Sequence, residues 1–310
     1  MAGPALIGPD VVVAGAARSG TSFLSALLAT HPRIDPGAVK EPNYFSREYD
    51  RGPAWYDGLY SARRPGVLRL DGSMSYTFAH FPEAIPRLAA DAGHAVVVYA
   101  VRHPITRLVS HYQLHRDYFT NEPAQTLGEA LTFSDVYSGA SDYGRWWQSL
   151  TEHIAPERLL LVPFPALKDD ARVVAGLVCQ AAGIDPDQLG EPDDASAHRN
   201  AVVAYRHPLV RVARRSVRRA GLYPWLRRTA GSERVRRLRS VLTRPVAAEN
   251  VDDALASCSP DQLERLQRLY DDARLAVRRA LVEQDRRRGL EWVDGWDEEC
   301  PEARLPGVTA

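Results

Sequence analysis

Residues 10–32 read DVVVAGAARSGTSFLSALLATHP. Val11, Val12 and Val13 are β-branched and apolar, the pattern of a short buried strand. Gly15 and Gly20, with small residues between them, let the chain bend. Phe23, Leu24, Leu27 and Leu28 then fall at helical spacing. In a strand–turn–helix of this kind the N–H groups of Ser19, Gly20 and Thr21 converge on the helix N-terminus, where an anion is favoured. Thr21 adds a hydroxyl donor. A nucleotide triphosphatase loop would carry a lysine between its second glycine and the threonine. Here Thr21 follows Gly20 directly, and the nearest cation is Arg18 on the crown of the loop. The stretch predicts a phosphate cradle without the apparatus for a γ-phosphate and magnesium.

Working outward, the same strand-then-helix unit recurs. AVVVYAV (95–101) reads as a buried strand ending at Arg102, followed by a helix in ITRLVSHYQLHRDYF with Pro104 in its first turn. RLLLVPF, from Arg158, precedes a helix expected from about Asp169 to Ala182 and ending at Gly183. VLRLDG, from Val67, is a further strand. Short strands alternating with helices predict an α/β fold: a P-loop-like central parallel sheet with helices on both faces. Ligands in such folds sit beyond the carboxyl ends of the strands, where Gly15 and Arg102 lie. An amphipathic helix is expected from Pro260 to Gly289, and the chain then runs through LEWVDGW.

The 310 residues are 45% hydrophobic and 25% charged, enough apolar material for a substantial core. Lysine plus arginine and aspartate plus glutamate each number 39, so net charge offers no case for nucleic-acid binding. The balance hides a block from Arg206 to Arg244 with thirteen arginines and one acid, Glu233. The readings of that block are a cleft lining for an acidic substrate, a nucleic-acid or membrane-surface contact, and a solvated helix or flexible lid, the last being the commoner. Apolar runs fall far short of the roughly 20 residues of a membrane-spanning helix. No secretory signal pattern opens the chain, and a cytoplasmic location is expected. Cys179, Cys258 and Cys300 form no ligand pattern, so no metal is expected. Oligomeric state is not readable.

GAARSGTSFLSALLATHP strongly resembles the 5′-phosphosulfate loop of sulfotransferases that use 3′-phosphoadenosine 5′-phosphosulfate, above all the heparan sulfate type and its bacterial relatives. KEPNYFS, from Lys40, resembles the family's Lys-Glu-x-x-Phe-Phe segment, and GPAWYDGLY and DGSMSYTF resemble the segments that follow. VRHPITRLVSHY, from Val101, is similar to the family's 3′-phosphate motif. The similarity runs over about residues 10–185. It implies that Arg18, Ser19, Gly20, Thr21 and Ser22 hold the 5′-phosphosulfate, and that Arg102 with Ser110 holds the 3′-phosphate. It also implies Glu41 as general base, assisted by Lys40 and Arg18, in sulfonyl transfer to a hydroxyl of a saccharide or glycosylated small molecule. On this reading residues 1–310 form one sulfotransferase domain: a donor-binding core of about 10–185, a helical, arginine-rich lid or acceptor region of about 192–250, and C-terminal helices and tail over 251–310.

Two departures bear on the acceptor. The heparan-type enzymes have an arginine where this chain has Ser22 and a lysine where it has Gly72, which weakens the case for a heparan-like polyanion. Lys40 and Lys168 are the chain's two lysines. A histidine base remains open, since His31, His103, His111 and His115 all fall within the motif region. Arg199 and Asn200 are further candidates for donor or acceptor contact. A P-loop kinase and a noncatalytic polyanion-binding protein stand as the alternative functions.

Overall fold

The structure is a computed structural model that describes residues 8–119, 121–191 and 249–296, with the backbone of 203–205 and 243–245. In chain order its main elements are β1 (Val11–Gly15), α1 (Thr21–Leu28), β2 (Ile34–Asp35), β3 (Leu68–Asp71), α2 (Ala84–Ala92), β4 (Val96–Val101), α3 (Pro104–Gln113) and α4 (Leu127–Phe133). They continue with α5 (Tyr143–His153), β5 (Leu159–Pro163), α6 (Phe164–Asp169), α7 (Ala171–Ala181), β6 (Val203–Tyr205), β7 (Thr243–Pro245), α8 (Val251–Leu255) and α9 (Pro260–Arg288). The chain packs as two compact units: residues to 108, 134–200 and from 259 in the first, 109–133 and 201–258 in the second.

In the first unit five strands pair in the order β2-β3-β1-β4-β5, all parallel. Every residue of β1, β4 and β5 is buried, as expected of strands covered on both faces. Alternation divides them. Val11, Val13, Val98, Ala100, Leu160 and Val162 pack against Leu24, Leu27 and Leu28 of α1 and Val174 and Val178 of α7. On the other face Tyr99 meets Tyr143 of α5 edge-on, ring centroids 6.1 Å apart. The expected parallel sheet with helices on both faces is therefore present, and the C-terminal helical part is present as α8 and α9. The arginine block lies outside the described residues, apart from backbone at Thr243 and Arg244.

Helix boundaries follow local chemistry. Asp170 accepts hydrogen bonds from the N–H groups of Arg172 and Val173, so α7 starts at Ala171 and the preceding residues form the separate α6. Ser259 and Gln262 close a reciprocal capping box at the start of α9, Pro260 takes its first position, and Gly289 follows its end at φ 65°. In the second unit, α3 passes into a π-helical turn over Leu114–Phe119 where a continued α-helix was expected. There the His115 ring meets His111 (4.7 Å) and Phe119 (5.5 Å), and Arg116 pairs with Asp117 and Glu249. β6 and β7 form an antiparallel pair. Among the described residues no helix is long and apolar enough to cross a membrane.

β5 is the sheet's edge, and its outward backbone groups need partners. Gln284 of α9, buried, supplies them: its Oε1 accepts from the Leu161 N–H at 2.8 Å and its Nε2 donates to the Leu161 carbonyl at 2.9 Å. The side chain imitates one residue of a sixth strand. Gln284→Ala leaves two buried backbone groups unpaired and is expected to lower the unfolding free energy by about 2–4 kcal/mol. Urea denaturation at an unchanged m-value measures it; a loss under ~0.5 kcal/mol would show that water replaces the amide.

Candidate active site

The loop between β1 and α1 is built by close approach. A Cβ on Gly15 would stand 2.2 Å from Thr77 Oγ1, and one on Gly20 would stand 2.5 Å from Leu167 Cδ2 and 3.2 Å from the Phe164 ring. Gly20 also sits at φ 83° and Arg18 at φ 71°, left-handed backbone that costs a side-chain-bearing residue about 1 kcal/mol or more. The Ser19 N–H turns back to the Ala16 carbonyl at 3.2 Å. Helix α1 begins at Thr21 with no side-chain cap; the N–H groups of Phe23 and Leu24 donate to the Gly20 carbonyl (3.0 and 3.1 Å), which leaves those of Thr21 and Ser22 as the first-turn donors for an anion. Ser19 is fully buried, its hydroxyl beside that of Tyr143.

Three guanidinium groups surround this cradle. Burial, together with the charges of Arg102 and Arg107, pushes the Arg18 pKa down to about 10. Arg102 leaves the end of β4 with its guanidinium over the Phe164 ring at 4.9 Å. Its backbone is held by the Tyr143 hydroxyl, which donates to the Arg102 carbonyl at 2.7 Å. Arg107, on the first two turns of α3, is fully buried. It donates to the Ala17 carbonyl on the loop crown (3.2 Å), to Ser141 Oγ (2.7 Å) and to the Tyr137 carbonyl. Burial lowers its pKa as well. Like charges confined at the carboxyl edge of a sheet make a strong field for an anion.

On the other side of the loop, Lys40 Nζ lies 2.9 Å from Glu41 Oε1 and donates to Ser22 Oγ at 3.1 Å. Both side chains are only about 30% exposed, at 28% and 30%. An ion pair so partly exposed contributes ~1 kcal/mol at most to stability; its consequence is geometric, since one ammonium ties a carboxylate to the start of α1. The Gly72 N–H donates to the Lys40 carbonyl at 3.0 Å, and a Cβ at Gly72 would meet Ser25 Oγ at 2.9 Å and Lys40 Cε at 3.0 Å. Lys40 therefore fills the space a longer side chain at position 72 would need.

Residues 8–200 match the sulfotransferase domain model. The chain belongs to the sulfotransferase family. Among curated relatives it is 32% identical over 134 residues to human heparan sulfate glucosamine 3-O-sulfotransferase 3B1, a match covering 43% of this chain and 33% of that protein. To the membrane-associated sulfotransferase kil1 of Dictyostelium discoideum it is 31% identical over 105 residues, covering 34% of this chain and 22% of that protein. The matched part thus spans a third or less of these relatives' length. A crystal structure of a sulfotransferase from Alicyclobacillus acidocaldarius aligns with a TM-score of 0.51 at 20% identity, covering 72% of this chain and 94% of the other, and supports the fold.

Within this sulfotransferase, Arg18, Ser19, Gly20, Thr21, Ser22, Lys40, Glu41 and Arg102 all belong to the first unit, and the contacts above bring Ser22, Lys40 and Glu41 together. Ser110 lies on α3 in the part counted with the second unit. Two of the candidate histidines, His31 and His103, are buried and hydrogen-bonded to backbone. His31 accepts from the Arg33 N–H at Nδ1 (3.0 Å), which makes Nε2 the donor to the Asp185 carbonyl (2.9 Å). His103 uses Nδ1 to accept from the N–H groups of Ile105 and Thr106 at the start of α3, its ring packed on Tyr270 and Trp296. Arg199 and Asn200 lie outside the described residues. Arg107 is absent from the residues singled out by sequence; its one signal was a cation on the buried stripe of α3, between Ile105 and Leu108.

Gly20→Ala places a methyl group into Leu167 at a left-handed backbone position. Gly183→Ala, at φ 71° with nothing within 4 Å, carries the backbone cost alone. Chemical denaturation is expected to show a loss of about 1 kcal/mol for Gly183→Ala and about 1–3 kcal/mol more for Gly20→Ala. Equal losses would mean that α6 gives way to the methyl group.

Proposed function

We propose that this protein moves the sulfonyl group of 3′-phosphoadenosine 5′-phosphosulfate onto a hydroxyl of a saccharide or glycosylated small-molecule acceptor. The observation that carries the reading is the Lys40 ammonium, which reaches Ser22 at the mouth of the anion cradle and Glu41 at the same time. A carboxylate fixed beside an anion site is what general-base transfer to a bound electrophile requires.

The residues fit the donor. The Gly20 cradle, the first turn of α1 without a side-chain cap and the buried Ser19 hydroxyl suit its 5′-phosphosulfate, with Arg18, Thr21 and Ser22 completing that set. Arg102, with Ser110, would take the 3′-phosphate; a guanidinium binds phosphate through two parallel hydrogen bonds. In the reaction the acceptor oxygen forms its bond to sulfur while its proton passes to a Glu41 carboxylate oxygen. Arg18 and the N-terminus of α1 would stabilise the charge left on the 5′-phosphate as the bond from sulfur to the bridging oxygen breaks with its electron pair staying on that oxygen. Adenosine 3′,5′-bisphosphate leaves. Lys40 holds Glu41 in place and offers a positive charge to the sulfonyl oxygens. Charge fixed in advance where new charge develops lowers the barrier without any reorganisation during the reaction.

The names of the curated relatives support a sugar acceptor. Against a dense polyanion stand Ser22 and Gly72, neither of which brings a cation, and the Lys40 side chain that occupies the space beside Gly72. An acceptor with little charge next to the reacting hydroxyl follows.

Adenosine 3′,5′-bisphosphate is expected to raise the melting temperature by several degrees more than ATP with magnesium does, as binding to the native state alone requires. The opposite order overturns the donor assignment in favour of a kinase. With labelled donor, Glu41→Gln is expected to lower kcat by about 10²–10⁴-fold with bisphosphate affinity kept within two-fold. Native turnover in that variant removes Glu41 as the base.

A further inference from the structure

Glu41 stands on a strap, Lys40–Asn43, that belongs to no helix or strand. Its fixity has to come from elsewhere, and the loop after β3 supplies it. The Gly72 N–H donates to the Lys40 carbonyl at 3.0 Å. Ser73 Oγ accepts from the Asn43 N–H at 2.9 Å, and Ser75 Oγ donates to Asn43 Oδ1 at 2.6 Å. Asn43 then passes the constraint on, its Nδ2 donating to the Glu41 carbonyl at 2.8 Å. It does so from φ 56°, a backbone conformation that asparagine tolerates better than most residues.

The far end of this network is anchored in the sheet. Asp71, the last residue of β3, is completely buried and accepts from the Ser73 N–H (2.9 Å) and from the hydroxyls of Tyr56 (2.9 Å) and Tyr76 (2.7 Å). β3 is itself paired to β1, Leu70 against Val11 and Asp71 against Val12. An unbroken chain of hydrogen bonds therefore runs from the central sheet through Asp71, Ser73 and Asn43 to the backbone of Glu41.

We propose that Asn43 is a positioning residue for Glu41: through its amide it sets the aim of the Glu41 carboxylate while touching neither donor nor acceptor. The inference rests on the reading of Glu41 as the base. Asn43→Gly keeps the left-handed backbone and deletes the amide. Asn43→Asp keeps the shape and the Ser75 contact but turns a carboxylate oxygen toward the Glu41 carbonyl. Ser75→Ala loosens the amide from behind and serves as the milder probe should either substitution compromise folding.

Single-turnover and steady-state assays with labelled donor are expected to show kcat reduced ~10–100-fold in Asn43→Gly, further in Asn43→Asp and least in Ser75→Ala, the scale on which small misplacements of a catalytic group act. Bisphosphate affinity and both KM values are expected to stay within about three-fold of native. In a Glu41→Gln background, Asn43→Gly is expected to leave the residual rate unchanged, because it acts only through Glu41. A native kcat in Asn43→Gly overturns the proposal, as does a kcat loss matched by lost bisphosphate affinity or one that persists undiminished on Glu41→Gln. The two readings fail separately. A fully active Glu41→Gln protein removes the base assignment and this inference with it, whereas an inactive Glu41→Gln beside a fully active Asn43→Gly removes only the positioning role.

Discussion

Arg18 is partly buried within range of two other arginines. Burial of a guanidinium is unfavourable, and the charges of Arg102 and Arg107 add repulsion, both of which lower its pKa. The fold keeps all three there because each is fixed by something other than its charge. Arg18 is carried on the crown of a loop whose two glycines have no room for a side chain, Arg102 is pinned at its backbone by Tyr143, and Arg107 spreads its fork over three oxygens. A bound anion would relieve the repulsion that the protein alone sustains.

That constraint explains the surrounding architecture. The Arg107 guanidinium donates to the Ala17 carbonyl next to the left-handed Arg18, and Ser141, which accepts from Arg107, donates to the Pro104 carbonyl at 2.8 Å, tying the start of α3 to the turn before α5. Behind it Trp296, wholly buried, packs on Tyr143, Tyr270 and His103. Asp294 fixes that closing turn by accepting from Arg278 at 2.5 Å and from the Trp296 N–H. The run LEWVDGW thus backs the residues that flank Arg102. Its distance in sequence from the loop is no measure of its distance in function.

What was legible in the sequence is what local periodicity or a short motif encodes. Three consecutive valines before a glycine turn gave β1 and α1, Pro260 and Gly289 marked the limits of α9, and the displaced Arg18 separated the cradle from a triphosphatase loop. The contacts that complete the site were not legible, because they join residues far apart in the chain. Nothing in an amphipathic helix pattern distinguishes Gln284, which completes the edge of β5, from a solvated glutamine. Arg107 read as one more arginine in an arginine-rich chain. Asp71 read only as part of the strand VLRLDG, and its three donors come from Tyr56, Ser73 and Tyr76, of which only Ser73 is a near neighbour.

Lys40 shows how a local departure is resolved in three dimensions. Read as a sequence, the chain lacks cations at Ser22 and Gly72, which depletes the site of charge. In the structure the Lys40 side chain runs past Gly72 and ends on Ser22, so a single ammonium serves both positions, and the missing side chains are what let it pass. A lysine at position 72 would have to displace Lys40 from its contact with Glu41. The glycine and the lysine are therefore one feature, in which a single ammonium is concentrated between Glu41 and Ser22 at the start of α1.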